Sequence, residues 1–152
     1  MIEAVKDERL DIIQLFIENA KEPNPPADTG FMPLHMAATV GHIEIFKMIF
    51  NCALDKNPKD WDDLTPLHFA AHDGYREICQ LIICKVTDKN PRAKGGKTPL
   101  HYAARKGCLE VYKLSSNSVG HENPSCISGR TLLHEAAHQG HYDICKLIIT
   151  SQ

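Results

Sequence analysis

Four histidines, His35, His68, His101 and His134, stand 33 residues apart. Each sits in nearly the same text: Met32-Pro-Leu-His-Met-Ala-Ala38, Thr65-Pro-Leu-His-Phe-Ala-Ala71, Thr98-Pro-Leu-His-Tyr-Ala-Ala104 and Thr131-Leu-Leu-His-Glu-Ala-Ala137. Two further ladders keep the period. Asn-Pro recurs at Asn24, Asn57, Asn90 and Asn123, and glycine recurs at Gly41, Gly74, Gly107 and Gly140. A period of this length constrains the fold more than any local motif, because each copy is one small unit that its neighbours must complete. It predicts an all-α repeat solenoid, and a chain that works by presenting a surface.

The unit 57–89 shows how one copy folds. Pro58 removes a backbone donor and biases its neighbour away from helix. Thr65 then serves as N-cap and Pro66 as the first helical residue. A short helix runs to about His72, and Gly74 ends it in a left-handed conformation. A second helix runs from about Tyr75 to Lys85, with Ile78, Cys79, Leu81, Ile82 and Ile83 giving it an apolar side. One such pair cannot bury that side, whereas stacked copies can. Alanine pairs such as Ala70-Ala71 let the helix layers approach. The ladder histidines are expected to tie each turn to the neighbouring copy through ring hydrogen bonds, with no catalytic or metal role.

Thr-Pro-Leu-His-x-Ala-Ala-x-x-Gly-His at this period resembles the ankyrin repeat, over nearly the whole chain. The resemblance implies an ankyrin-type helix-turn-helix stack with β-hairpin fingers, and a concave surface of fingertips and inner helices that binds other proteins. In that register 1–152 reads as a single repeat domain: a cap-like unit 1–23 without a finger, then 24–56, 57–89, 90–122 and 123–152. Glu8 takes the glycine position of the first unit, whose inner helix (Glu3, Lys6, Asp7, Glu8, Arg9) is polar enough to cap that end. At the other end Ile144, Leu147, Ile148 and Ile149 repeat the interior pattern, and no polar cap follows before Gln152. The chain therefore reads as part of a longer one. It is expected to be monomeric unless a dimer covers 144–149.

Repeat 90–122 departs from the pattern. Ser115-Ser116 aligns with Ile49-Phe50, Ile82-Ile83 and Ile148-Ile149. Burying one large aliphatic side chain contributes roughly 1.5–3 kcal/mol, and serine favours turns over helix interiors. The outer helix is expected to end near Leu114, as tolerated drift or as a hinge or phosphorylatable segment within 114–121. Met32 in place of threonine and Leu132 in place of proline each remove a cap feature worth roughly 0.5–2 kcal/mol.

Several function classes are excluded or weakened. A formal charge of −2 gives no case for general nucleic-acid binding. No apolar run approaches about 18 residues, and the start Met1-Ile-Glu-Ala-Val-Lys-Asp-Glu-Arg9 lacks a secretory apolar stretch. Six cysteines form no Cys-x-x-Cys pair, which suits a reducing, cytoplasmic setting or the intracellular face of a larger protein. His134-Glu135-x-x-His138 spells a zinc-hydrolase motif, yet His134 already belongs to the ladder and His141 lies beyond Gly140. Gly95-Gly96-Lys97-Thr98 lacks the upstream glycine of a phosphate-binding loop. No enzyme activity and no cofactor are expected.

The family's contact positions, carried onto this chain, select a strip. Trp61, Leu64, Phe69 and Tyr102 supply large apolar or amphipathic groups, with His72 and Asp73 beside them. Lys94, Lys97, Arg105 and Lys106, with Arg92, form a basic cluster that no acidic residue interrupts between Asn90 and Lys106. A protein with an apolar anchor and an acidic patch fits both halves. A structural spacer within a longer array is the alternative. The resemblance also implies asparaginyl hydroxylation at Asn57 or Asn90, although the proline after each stands against it.

Overall fold

The computed structural model describes residues 1–22, 24–120 and 123–151. Among them are ten helices: α1 (Ile2–Lys6), α2 (Leu10–Asn19), α3 (Pro33–Val40), α4 (Ile43–Cys52), α5 (Pro66–Asp73), α6 (Arg76–Ile83), α7 (Pro99–Lys106), α8 (Leu109–Val119), α9 (Leu132–His138) and α10 (Tyr142–Thr150). The odd-numbered helices pack side by side in an inner row and the even-numbered ones in an outer row. Each odd helix also packs on the even helix that follows it. The core lies between the rows. Leu34, Leu67, Leu100, the first three alanine pairs and Ala136 are buried from the inner side, and Ile45, Ile49, Ile78, Ile82, Val111, Ile144 and Ile148 from the outer. Leu132 fills the buried slot that Pro33, Pro66 and Pro99 occupy elsewhere, so the missing proline leaves no gap.

The inner helices begin by satisfying donors that have no partner within the helix. Proline at the first position has no N–H. The next residue donates to the asparagine ten positions upstream: Leu34 to Asn24 Oδ1 at 2.9 Å, Leu67 to Asn57 at 3.0 Å and Leu133 to Asn123 at 3.3 Å. The cap residue's own N–H donates to histidine Nδ1, at 3.0 Å for Met32 and Thr65, 3.1 Å for Thr98 and 3.2 Å for Thr131. An accepting Nδ1 leaves the ring proton on Nε2. His35 Nε2–H donates to the carbonyls of Pro58 and Leu64 at 3.0 and 3.2 Å, and His68 Nε2–H to that of Lys97 at 3.3 Å. Those carbonyls belong to the next unit, so the expected tie between units is present there. His101 caps Thr98 in the same way, and its Nε2 faces the Arg130 carbonyl of the next unit in a bond weaker than those of His35 and His68. Burial pushes the His35 and His101 rings below the usual imidazole range and His68 down from 6.5 to about 4.

The glycine ladder meets two demands. Gly41, Gly74 and Gly107 have φ of 81°, 83° and 77°, and each is covered by the residue that opens the next outer helix. A Cβ on Gly41 would fall 2.2 Å from the Tyr75 ring, and one on Gly107 2.6 Å from His141. Gly140 has the same φ of 77° with nothing above it. Glu8 holds the equivalent place at φ 54°, and Asp63 at φ 58° replaces the fingertip glycine found at Gly30, Gly96 and Gly129.

Two expectations are corrected. The fingers are turns: the described residues contain no strand, only one antiparallel bridge between Ser125 and Thr131. Each finger is closed by two bonds, as from Ala27 N–H to Phe31 O and from Gly30 N–H to Ala27 O, leaving too few residues to extend a ladder. Neighbouring fingers are nonetheless joined, through Trp61 N–H to Thr29 O, Lys94 N–H to Asp62 O and Ile127 N–H to Gly95 O at 3.0–3.1 Å. Second, α8 continues past Leu114 to Val119. Ser116 Oγ donates to Lys113 O at 3.2 Å and Ser118 Oγ to Leu114 O at 2.9 Å, which satisfies these hydroxyls inside a helix. Ser115 and Ser116 are buried, which removes them as phosphorylation sites. His121 of that stretch, like Gln152, lies outside the described residues. In the first unit the outer helix α2 leaves Leu15 and Phe16 exposed. At the other end Ile144 and Ile148 are buried while Ile149 is 62% exposed.

Three outcomes follow from these contacts. Gly140→Ala is expected to destabilise by about 1 kcal/mol through its positive φ alone. Gly107→Ala is expected to lose a further 1–3 kcal/mol or so, because His141 must move; equal urea midpoints for the two variants would contradict this. The buried Ser115 hydroxyl has no partner, so Ser115→Ala is expected to raise stability by about 1 kcal/mol. The folded state keeps His35, His68 and His101 neutral, whereas the unfolded chain protonates them near pH 6.5. Their contribution is therefore complete above about pH 6.5 and is lost as pH falls toward about 4, which urea titrations across that window will read as a falling midpoint.

Candidate functional site

The inner-helix residue after each ladder histidine lays its side chain on the preceding unit. Phe69 meets His35 edge-on at 5.8 Å between centroids, and Tyr102 meets His68 at 5.6 Å. Phe31 stacks on His35 at 5.1 Å and takes the edge of Phe69 at 5.5 Å. His72 joins the group through Tyr102 at 6.1 Å. Phe31 is not among the strip residues that the sequence selects. The available signal was its register, which it shares with Leu64, Lys97 and Arg130. Leu64 is half-buried, and its carbonyl accepts from His35. Trp61 stands apart on its finger, 67% exposed, with its indole over Gly30, where a Cβ would fall 2.7 Å from Cδ1.

The charged residues divide into those the fold uses and those it leaves free. Lys97 Nζ lies 3.0 Å from Glu135 Oε1, and Arg130 Nε lies 3.7 Å from the same oxygen. The Glu135 side chain is only 3% exposed. Burial alone would push its carboxyl up, but Lys97 and Arg130 outweigh that and hold it below the usual range. The basic cluster is thus interrupted in space by an acid that is distant in sequence, and Lys97 is a paired cation. Arg92 is also engaged, donating to Gly96 O at 3.1 Å and Ser125 O at 3.0 Å. Lys94, Arg105 and Lys106 are exposed and form no ion pair among the described residues. On the acidic side, Asp60 Oδ1 accepts from the N–H groups of Asp62 and Leu64, both at 2.9 Å. Lys59 pairs with Asp63 at 3.6 Å, and His72 Nδ1 lies 2.7 Å from Asp73 Oδ1.

Two residues of the zinc-hydrolase spelling serve the scaffold, whereas His138 is exposed at the end of α9. His134 Nδ1 caps Thr131, Glu135 holds two cations, and His141 Nε2–H donates to Arg105 O at 3.0 Å. Gly95 and Lys97 belong to a finger and its ion pair, with no phosphate cradle around them. Asn57 Oδ1 is engaged by Leu67 N–H, and Asn90 Oδ1 is buried without a partner. Burial pushes the Cys79 thiol up to about 12, which leaves it a poor nucleophile. What the face offers is recognition: aromatic rings, backbone-tied fingers and three free cations.

Among the described residues no helix is long and apolar enough to cross a membrane. A search of curated proteins gave no match. A family model described as ankyrin repeats (3 copies) matches residues 1–93, 57–120 and 87–152. Ankyrin repeats are in general protein-interaction modules, and they are typically non-catalytic. With its ladders at 33 residues, its stacked helix pairs and a match that reaches from 1 to 152, the chain belongs to the ankyrin-repeat family.

Proposed function

We propose that this chain is a non-catalytic protein-binding scaffold whose partner lies across the fingers and inner helices of 57–122. The observation that carries this reading is the exposure of Trp61 on a finger fixed by its neighbours, close in register to the rings of Phe69 and Tyr102. Tryptophan and tyrosine most often dominate binding energy, and fixed side chains lose little entropy on binding. Leu64, His72 and Asp73 border this apolar anchor site. Lys94, Arg105 and Lys106 lie on the next unit and favour an acidic segment beside the anchor. Lys97 contributes mainly through its pairing with Glu135. The cysteines are free thiols, which suits a reducing compartment, and we place the interaction in the cytoplasm.

Selection of displayed random peptides on the whole chain tests the reading. Enriched peptides are expected to combine a large apolar residue with Asp or Glu nearby. The double variant Trp61→Ala, Tyr102→Ala is expected to lower their affinity by more than about 10-fold while still folding, at a urea midpoint lowered by loss of the Tyr102 ring against His68. Unchanged affinity in a folded variant would move the partner off this strip.

A further inference from the structure

Glu135 occupies the inner-helix position that Met36, Phe69 and Tyr102 hold in the preceding units. In α5 and α7 that residue is a ring laid against the histidine of the unit before. In α9 it is a carboxylate with almost no exposure. Two cations from two fingers converge on its Oε1, Lys97 at 3.0 Å and Arg130 at 3.7 Å. Arg105 of α7 adds to the positive potential there. Three elements thus build a carboxylate receptor on the face proposed for the partner, and the chain's own side chain fills it. Lys97 and Arg130 retain partial exposure, at 28% and 43% of their side chains, so the receptor opens to solvent while its occupant is buried.

We propose that Glu135 is an internal competitor for acidic side chains of the partner. The proposal rests on the protein-binding reading above and adds to it a residue that sets selectivity. With Glu135 charged, Lys97 and Arg130 present one positive charge instead of two, and an incoming Asp or Glu is read chiefly by Lys94, Arg105 and Lys106. Acidic segments then bind less tightly than the count of lysines and arginines implies. Partners that also supply the apolar anchor are thereby favoured over polyacidic ones, a use of repulsion to sharpen selectivity.

The probe is a fluorescent octaglutamate peptide at low salt, which carries charge and no anchor. One extra charge several ångströms from a bound carboxylate changes affinity by roughly 3-fold or more at a protein surface. Glu135→Gln, which keeps the shape and removes the charge, is expected to tighten octaglutamate binding by at least about 3-fold. Lys97→Met alone, which lowers the charge of the cluster by one, is expected to weaken it by a similar factor, and Lys97→Met combined with Glu135→Gln, which leaves Arg130 as the one net charge, to return it to within about 2-fold of the native chain. Equal affinity of the folded Glu135→Gln variant and the native chain overturns the proposal, as does absence of octaglutamate binding by both. If circular dichroism shows that Glu135→Gln does not fold, Glu135→Met, the residue α3 uses at this position, takes its place. If that also fails to fold, Glu135 is a structural partner of Lys97 that the stack cannot lose, and the proposal is overturned. Because the probe lacks an anchor, failure here leaves the peptide-selection result standing. Loss of the Trp61 and Tyr102 effect there would instead remove the parent reading.

Discussion

A neutral imidazole with one accepting and one donating nitrogen is the joint of this stack. Nδ1 takes the N–H of the cap residue and so starts its own helix, while Nε2–H reaches a carbonyl of the next unit. One side chain therefore couples the local geometry of a turn to the placement of a neighbour. Nε2–H donates in either state, whereas the bond to the cap residue needs the uncharged ring, since a protonated Nδ1 could not accept. Burial enforces that state, and the alanines beside each histidine keep the two helix rows close enough for the reach. The fingers follow from the same joint, because the carbonyls that His35 and His68 seek close or flank those turns.

The joint is not uniform along the chain. Between 24–56 and 57–89, and again between 57–89 and 90–122, histidine meets a carbonyl and an aromatic ring covers it. At the next step the ring is replaced by Glu135, the bond of His101 to the Arg130 carbonyl is weaker, and an ion pair with Lys97 adds to the backbone bonds that join the units. The face changes character at the same point, from aromatic to charged. Ser115, a buried hydroxyl without a partner, lies in the outer row of the same unit.

Much of the fold was legible because periodicity amplifies each signal. Four glycines in register announce a helix end more firmly than one does, and the positive φ at Glu8 shows that the register held even where the residue changed. What escaped were contacts set by three-dimensional neighbours rather than by spacing. Asparagine before proline reads as a turn, yet its amide caps a helix ten residues on. Lys97 reads as free because Glu135 is far away in sequence. Ser115 and Ser116 read as helix breakers because local preference says nothing of the two outer helices, α6 and α10, that flank α8 and hold it. The contact strip was legible as a set of positions, but which of its charges are available required the fold.

A histidine that bonds a backbone carbonyl is indifferent to the side chains of the unit it meets, since every unit has that carbonyl. Units joined in this way are interchangeable parts: one can be duplicated, removed or transplanted and the joint re-forms. Lys97 and Glu135 obey a different rule, for each requires the other by name. The units 90–122 and 123–152 are therefore bound to one another as an ordered couple, to be inherited or exchanged together, while those before them remain free to be reshuffled.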